Sequence, residues 1–200
     1  MNLFVVAVTL LLLGGVASAD TLKAVTEDGK TVILNGDGTW KYETPAQGFT
    51  KPAQATKLLK GTRVRYGLWM DESKWLLAKD KGDSPERDYA FRHVTGDAYA
   101  MVIAERLEVP MESLKAIALQ NARNATKDVR VTKEELRNVN GTQVLSLQME
   151  GTIQGIPFVF NGYYYAGKRG TIQVITYTGR NLFDEYRRDM DNLLSGFFVE

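Results

Sequence analysis

The stretch from Val129 to Thr178 constrains this chain most, because alternation of apolar and polar residues is broken there at regular intervals by turn residues. Leu145, Leu147 and Met149 alternate with Ser146, Gln148 and Glu150, which places one set on each face of a strand. Asn140-Gly141 precedes this run, Gly155 follows it, and Gly167 to Gly170 separates the apolar run Pro157 to Ala166 from Thr171 to Thr178. Asn-Gly suits a tight hairpin because both residues tolerate positive φ. The pattern predicts strands joined by short turns, an antiparallel meander.

Two amphipathic helices flank that meander. Pro110 to Ala125 has Pro at its entrance and Leu114, Ile117, Ala118 and Asn121 at i, i+3, i+4 and i+7. Asn181 to Ser195 carries Phe183, Tyr186, Met190 and Leu193 or Leu194 on one stripe, an Asp184 and Arg188 pair at i, i+4, and then the apolar tail Phe197-Phe198-Val199. Ahead of the first helix, Thr62 to Leu68, Lys74 to Ala78 and Asp88 to His93 read as strands, with the charged loop KDKGDSPER between the last two. Ala98 to Leu107 is apolar on both faces, the pattern of a central strand covered on two sides. The fold class expected is α+β: an antiparallel β-sheet flanked by two helices.

Upstream, residues 1–19, MNLFVVAVTLLLLGGVASA, combine a short apolar run with small residues at Ala17-Ser18-Ala19, the pattern of a secretory signal peptide cleaved between Ala19 and Asp20. Leu3 to Val16 is too short to span a bilayer comfortably and has no charged stop-transfer flank; the segment before it carries only the terminal amine as positive charge. Residues 20–44 contain Asp28-Gly29 and Asp37-Gly38 between apolar runs, which predicts a small β-hairpin module with three short strands. Residues 45–56, with Pro45, Gly48 and Pro52, read as a linker, and residues 57–200 as the main domain.

Chemistry is bounded chiefly by what is missing. There is no cysteine, so disulfides, thiolate catalysis, thiolate-bound zinc and N-terminal lipoprotein acylation are excluded together. With 25 basic and 24 acidic residues, net charge gives no reason to expect nucleic acid or an anionic membrane as partner. One histidine, His93, rules out a multi-histidine metal site, and no nucleophile-elbow sequence accompanies it. Adjacent acids at Asp71-Glu72, Glu134-Glu135 and Asp184-Glu185 point apart on strand or helix, so none is a preset acid and base pair. The EDG and NGDG turns lack the spaced ligands of a calcium loop, and GKRG lies between strands rather than before a helix. Asn124-Ala-Thr126 and Asn140-Gly-Thr142 match glycosylation acceptors, relevant only in a eukaryotic secretory path. No catalytic residue, metal or cofactor site is assigned. The aromatics offer an interaction surface instead: Trp40, Tyr42, Trp69, Trp75, Tyr163 and Tyr165, with Tyr164 facing away from its two neighbours.

From about Lys57 to Val199 the layout resembles the PsbP-like and DcrB-like exported α/β families. The resemblance rests on Glu105 closing the central strand, Met111-Glu112-Ser113-Leu114 opening the helix, the turn at Asn140-Gly141, and Ser195-Gly196-Phe197 after the last helix. The leading DGK…DGTW hairpin is similar to a segment of uncharacterised exported bacterial proteins. The resemblance implies a non-enzymatic accessory or assembly factor; the signal peptide adds the expectation of a periplasmic or secreted protein of the bacterial envelope, with an unidentified envelope protein as partner and no stable membrane anchor after cleavage. A carboxylate-based hydrolase and a small-ligand carrier are the alternatives, the first requiring clustered buried carboxylates and the second an apolar chamber between helix and sheet.

Overall fold

Asn140 and Gly141 adopt φ of +48° and +82°, and Gln154 and Gly155 adopt +50° and +83°. Paired positive φ values are what a two-residue turn needs to match the twist of its flanking strands. These angles come from a computed structural model of the chain, which describes residues 22–25, 31–42, 48–80, 82, 84–126 and 128–200. The expected signal peptide and the Asp28-Gly29 turn lie outside the described residues. Those described fall into two compact units, one reaching Tyr42 and one starting at Gly48.

The first unit is a three-stranded antiparallel sheet of β1 (Leu22–Val25), β2 (Thr31–Leu34) and β3 (Trp40–Tyr42), in that order. Its register sets Leu22 opposite Leu34 and Leu34 opposite Trp40, with Ala24, Val32 and Tyr42 in the next row. All six therefore share one face. Asp37 makes the β2 to β3 turn by accepting from the Thr39 amide (2.9 Å) and hydroxyl (2.6 Å), which holds its carboxyl below the usual range.

The second unit contains an eight-stranded sheet in the order β4-β10-β11-β12-β13-β9-β8-β7. Its members are β4 (Gly48–Phe49), β7 (Trp75–Leu77), β8 (Arg87–His93), β9 (Ala98–Glu105), β10 (Arg130–Val139), β11 (Thr142–Ile153), β12 (Ile156–Gly167) and β13 (Gly170–Gly179). A separate three-stranded sheet joins β14 (Phe197–Val199), β6 (Tyr66–Met70) and β5 (Lys57–Lys60). Helix α1 spans Met111–Ala125 with Pro110 at its N-cap, and α2 spans Phe183–Leu194 after a 3-10 turn at Arg180–Leu182.

Several expectations need correcting. The architecture is larger than one antiparallel sheet: the apolar tail is strand β14, and the second sheet closes one core. Within the segment read as a linker, β4 pairs in parallel with β10, and Ala55 is buried. Thr62 to Leu68 is not one strand. The Thr62 amide and hydroxyl donate to Asp88 at 3.1 and 2.6 Å, bending residues 61–65 so that pairing starts only at Tyr66.

Strand parity divides the apolar residues into two cores. On one face Ala98, Ala100, Val102, Val144, Val159, Tyr163, Ile172 and Val174 meet Tyr186, Met190 and Leu193 of α2 and Leu59, Tyr66, Leu68 and Phe197 of the small sheet. On the other, Leu114 and Ala118 of α1 pack on Leu145, Leu147, Met149 and Tyr164. The two helices thus lie on opposite faces. Contrary to the expectation of two covered sides, Tyr99, Met101 and Ile103 of β9 are only half-buried, because α1 sits over β11, β12 and their neighbours. Burial pushes the phenols of Tyr66 and Tyr164 well above their usual range, the Asp88 charge adding to the effect at Tyr66.

Asn140 ties these parts together. Its Nδ2 donates to the carbonyls of Ser195 and Phe197, both at 2.8 Å, and its Oδ1 accepts from the Lys51 amide at 2.8 Å. The neighbouring Thr142 Oγ1 accepts from the Val199 amide at 3.0 Å. One side chain therefore joins the β10–β11 turn, the chain after β4 and the entry to β14. Asn140→Ala is expected to cost about 2–4 kcal/mol, from lost part-buried hydrogen bonds and from Ala at positive φ. Asn140→Gly, which relieves the φ, should recover only about 1 kcal/mol; urea midpoints of the three proteins test this. A second prediction concerns pH. Because the folded phenols of Tyr66 and Tyr164 are raised above the unfolded value of about 10, their contribution is complete below that pH and declines as pH rises above it. Urea midpoints should hold steady from about neutral pH to roughly pH 10 and fall beyond it, with the Tyr66 and Tyr164 phenols among those that resist ionisation until the chain unfolds.

Candidate binding surfaces

The one histidine sits at the end of β8 and is a buried fastening. His93 Nδ1 lies 2.8 Å from Thr95 Oγ1, its Nε2 lies 3.1 Å from Asp189 Oδ2, and Thr95 Oγ1 is 2.7 Å from the Tyr186 hydroxyl. Asp189 also receives Lys74 Nζ at 3.2 Å, and the Trp75 indole donates to its carbonyl at 3.3 Å. Trp75 and Tyr186 stand edge-on to the imidazole at 5.2 and 5.0 Å. The network bolts β7 and β8 to α2.

Of the aromatics read as a surface, Trp40 and Tyr42 lie on the apolar face of the first unit, 59% and 49% exposed, edge to face at 5.4 Å. Leu22 on the same face is 67% exposed. Trp69 is half-buried beneath Lys51 Nζ, 4.8 Å above its ring. Trp75 and Tyr163 are corrected to core residues, 2% and 1% exposed. Trp75 packs toward α2 through its indole bond to the Asp189 carbonyl, and the Tyr163 hydroxyl accepts from Arg137 Nη1 at 2.9 Å, so its polar end is satisfied inside. Tyr165 packs half-buried against the same core, while Tyr164 faces the α1 side. The structure therefore does not bring the six residues into one surface.

It brings together a different set. Phe160 opposes Tyr177, and Tyr177 opposes Tyr99, in one cross-strand row on the face beside α1. Tyr99 stacks on Tyr177 at 5.5 Å, Phe160 lies 5.9 Å from Tyr177, and Phe158 continues the series 6.3 Å from Phe160. All four are half-buried. Burial raises the Tyr177 phenol, with the Arg87 charge opposing. The sequence holds the signal for this row, since each member lies opposite in parity to a buried neighbour, but only the register aligns them.

Acids are dispersed. Glu134 pairs with Lys115 at 2.6 Å, Glu135 pairs with Lys133 at 3.3 Å and with Arg137, and Asp71 caps the turn at Ser73. Asp88 is the one fully buried carboxylate among the described residues, and the Tyr66 hydroxyl, at 3.0 Å, joins Thr62 as its donor. Asp128 accepts from the Thr152 amide and hydroxyl at 2.8 and 2.7 Å and from the Thr126 hydroxyl, which lowers its carboxyl far below the usual range and locks the exit of α1 to β11. Among the described residues no group of three or more His, Asp or Glu is placed to hold a metal ion.

No protein-family model and no curated protein matches this sequence. Solved structures do match. Cyanobacterial PsbP from Synechocystis sp. PCC 6803 superposes with a TM-score of 0.55 over 74% of this chain and 95% of its own, at 15% identity. The fold is PsbP-like. A protein of unknown function from Pseudomonas aeruginosa follows with a TM-score of 0.46 at 11% identity, over 72% of this chain and 96% of its own. LpqN of Mycobacterium tuberculosis, a protein involved in cell envelope biogenesis, gives 0.37 at 10% identity, over 92% of both chains.

In this PsbP-like unit, His93 acts on structure. His93→Ala should lower stability by about 2–4 kcal/mol, through the cavity left under Trp75 and Tyr186 and the unpaired hydrogen-bonding groups. The checking measurement is the urea midpoint, alongside the far-ultraviolet circular dichroism spectrum, which should keep its native form.

Proposed function

We propose that this chain is an exported, non-catalytic accessory or binding protein of the bacterial cell envelope, acting in the periplasm or as a secreted protein. The observation that carries the reading is the apolar face of the first unit. Leu22, Ala24, Val32, Leu34, Trp40 and Tyr42 line one side of a three-stranded sheet, with Leu22, Trp40 and Tyr42 about half or more exposed. Exposed large aromatics on an apolar patch are among the residues that dominate protein–protein association. Val32 on the central strand is buried, and a three-stranded sheet this short gains further stability when its exposed flanks are covered.

Further support comes from the leader-like residues 1–19 and the absence of cysteine from the sequence. No helix among the described residues is long and apolar enough to cross a membrane. The hydrolase alternative asks for clustered buried carboxylates, whereas Asp88 is enclosed by its own donors. The carrier alternative asks for a chamber under α1, where Leu114, Ala118, Leu147 and Tyr164 fill the interface.

Two measurements test the proposal. Fractionation of the native host should place the protein outside the cytoplasm with Asp20 as the mature N-terminus; a cytoplasmic protein with Met1 retained would overturn the localisation. Crosslinked capture from intact envelope should recover a specific partner, and the double variant Trp40→Ser/Tyr42→Ser should weaken that recovery at least about tenfold, as loss of two aromatic anchors implies. Undiminished capture by this variant, or hydrolytic turnover with no specific partner, would overturn the binding role.

A further inference from the structure

Three segments distant in sequence meet at one end of the eight-stranded sheet. They are the bend at residues 61–65, the exit of β9 at residues 106–108, and the β12–β13 turn at Lys168 and Arg169. Together they line an open groove of about 520 Å³. Five cationic side chains, Arg63, Arg65, Arg106, Lys168 and Arg169, face one acid, Glu108, among the lining residues. The whole chain carries a formal charge of only +1, so this is a local concentration of positive charge.

The groove is built by the fold. Arg106 Nε donates to the Arg63 carbonyl at 2.9 Å, which fixes the root of that guanidinium. Arg63 Nε lies 3.9 Å from Asp88 Oδ1, and that buried carboxylate also pins the bend through Thr62 and Tyr66. Gly170, at φ +128°, presses the β12–β13 turn inward; a Cβ there would come within 2.3 Å of the Glu105 carbonyl oxygen and 3.0 Å of Val64. Glycine at this position is what lets Lys168 and Arg169 reach the arginines of the bend.

We propose that this groove binds a small anion bearing several phosphate groups, either free in solution or as a lipid headgroup. Guanidinium forks match phosphate oxygens in bidentate geometry, and several of them on one concave surface favour a ligand with more than one anionic group. The volume falls in the range of small-molecule sites. Like charges held together repel one another, and a polyanion relieves that repulsion.

The test uses the purified protein and calorimetric titration with tripolyphosphate at low ionic strength. Saturable one-to-one binding is expected, weakening as salt is added. Arg65→Gln/Arg169→Gln, which alters two exposed side chains, should weaken binding at least about tenfold, as loss of two charge-assisted contacts implies. Arg187→Gln/Arg188→Gln on the surface of α2 should leave binding within about twofold, as screened distant charges require. Flotation with phosphatidylcholine vesicles, with and without cardiolipin, identifies the source. Cardiolipin-dependent recruitment that the Arg65/Arg169 variant loses assigns a headgroup; tripolyphosphate binding without recruitment assigns a soluble ligand. Absence of saturable binding in both arms, equal weakening by the two variant pairs, or equal affinity for citrate would overturn the proposal.

Discussion

The carboxamide of Asn140 is where the layers of the larger unit are joined. A two-residue turn between long strands protrudes from the sheet, and its side chain is free to bind whatever packs alongside. Here it takes two carbonyls of the α2 to β14 connection and one amide of the segment after β4. Strand β14 in turn pairs with β6, and the small sheet so formed closes the core that α2 only partly covers. Gly196 belongs to the same junction: a Cβ there would lie 1.9 Å from the Trp69 carbonyl oxygen, whose own amide donates to Gly196. A polar turn residue and a glycine thus decide whether the apolar tail becomes a strand.

This explains which parts of the fold were legible in the sequence. The meander from β10 to β13 is written locally, since alternation fixes the face and Asn140-Gly141 and Gly155 fix the turns. Both helices are equally local in their stripes. Strands β4 and β14 are not, because a two- or three-residue strand exists only through its partner, and the partners lie far off in sequence, Asn138 opposite Gly48 and Leu68 opposite Phe197. The bend at residues 61–65 escaped for the same reason: Asp88 imposes it across 26 positions. Among the aromatics, composition shows that rings are present and parity shows which share a face, but burial depends on the covering layer. Trp75 meets α2, and Tyr163 has Arg137 at its hydroxyl, so both are interior. Trp40 and Tyr42, with the same residue types, stand on a sheet with no layer among its own strands to cover them.

Charge follows the same logic. A balanced total of 25 basic and 24 acidic residues argues against a strongly charged partner only when both signs are evenly spread. Charges of both signs meet elsewhere on the larger unit, Glu134 with Lys115, Glu150 with Arg130 and Arg180, and Glu135 with Lys133 and Arg137. The cations of the groove are drawn from three segments that no sequence window contains, and folding gathers them with Glu108 in the lining and the buried Asp88 behind Arg63. Net charge is a property of composition, whereas the field at a surface is a property of topology.

The unequal cover of the large sheet accounts for the aromatic row. A helix is about 10 Å across, and strands lie about 4.8 Å apart, so one helix shelters only a few of eight strands. The opposite face solves this with α2 and a second sheet; on the α1 face, α1 packs over the centre. Phe158, Phe160, Tyr177 and Tyr99 occupy ground toward β9 where apolar surface meets water. Large rings stacked along the cross-strand register bury one another's faces while leaving an edge, or a phenol, at the solvent boundary. Smaller aliphatic residues at these positions would expose their surface without mutual cover. The row is therefore what a sheet of this width requires where its covering layer stops, which is why its rings remain half-buried while Trp40 and Tyr42, at 59% and 49%, stay more exposed and carry the stronger argument for a partner.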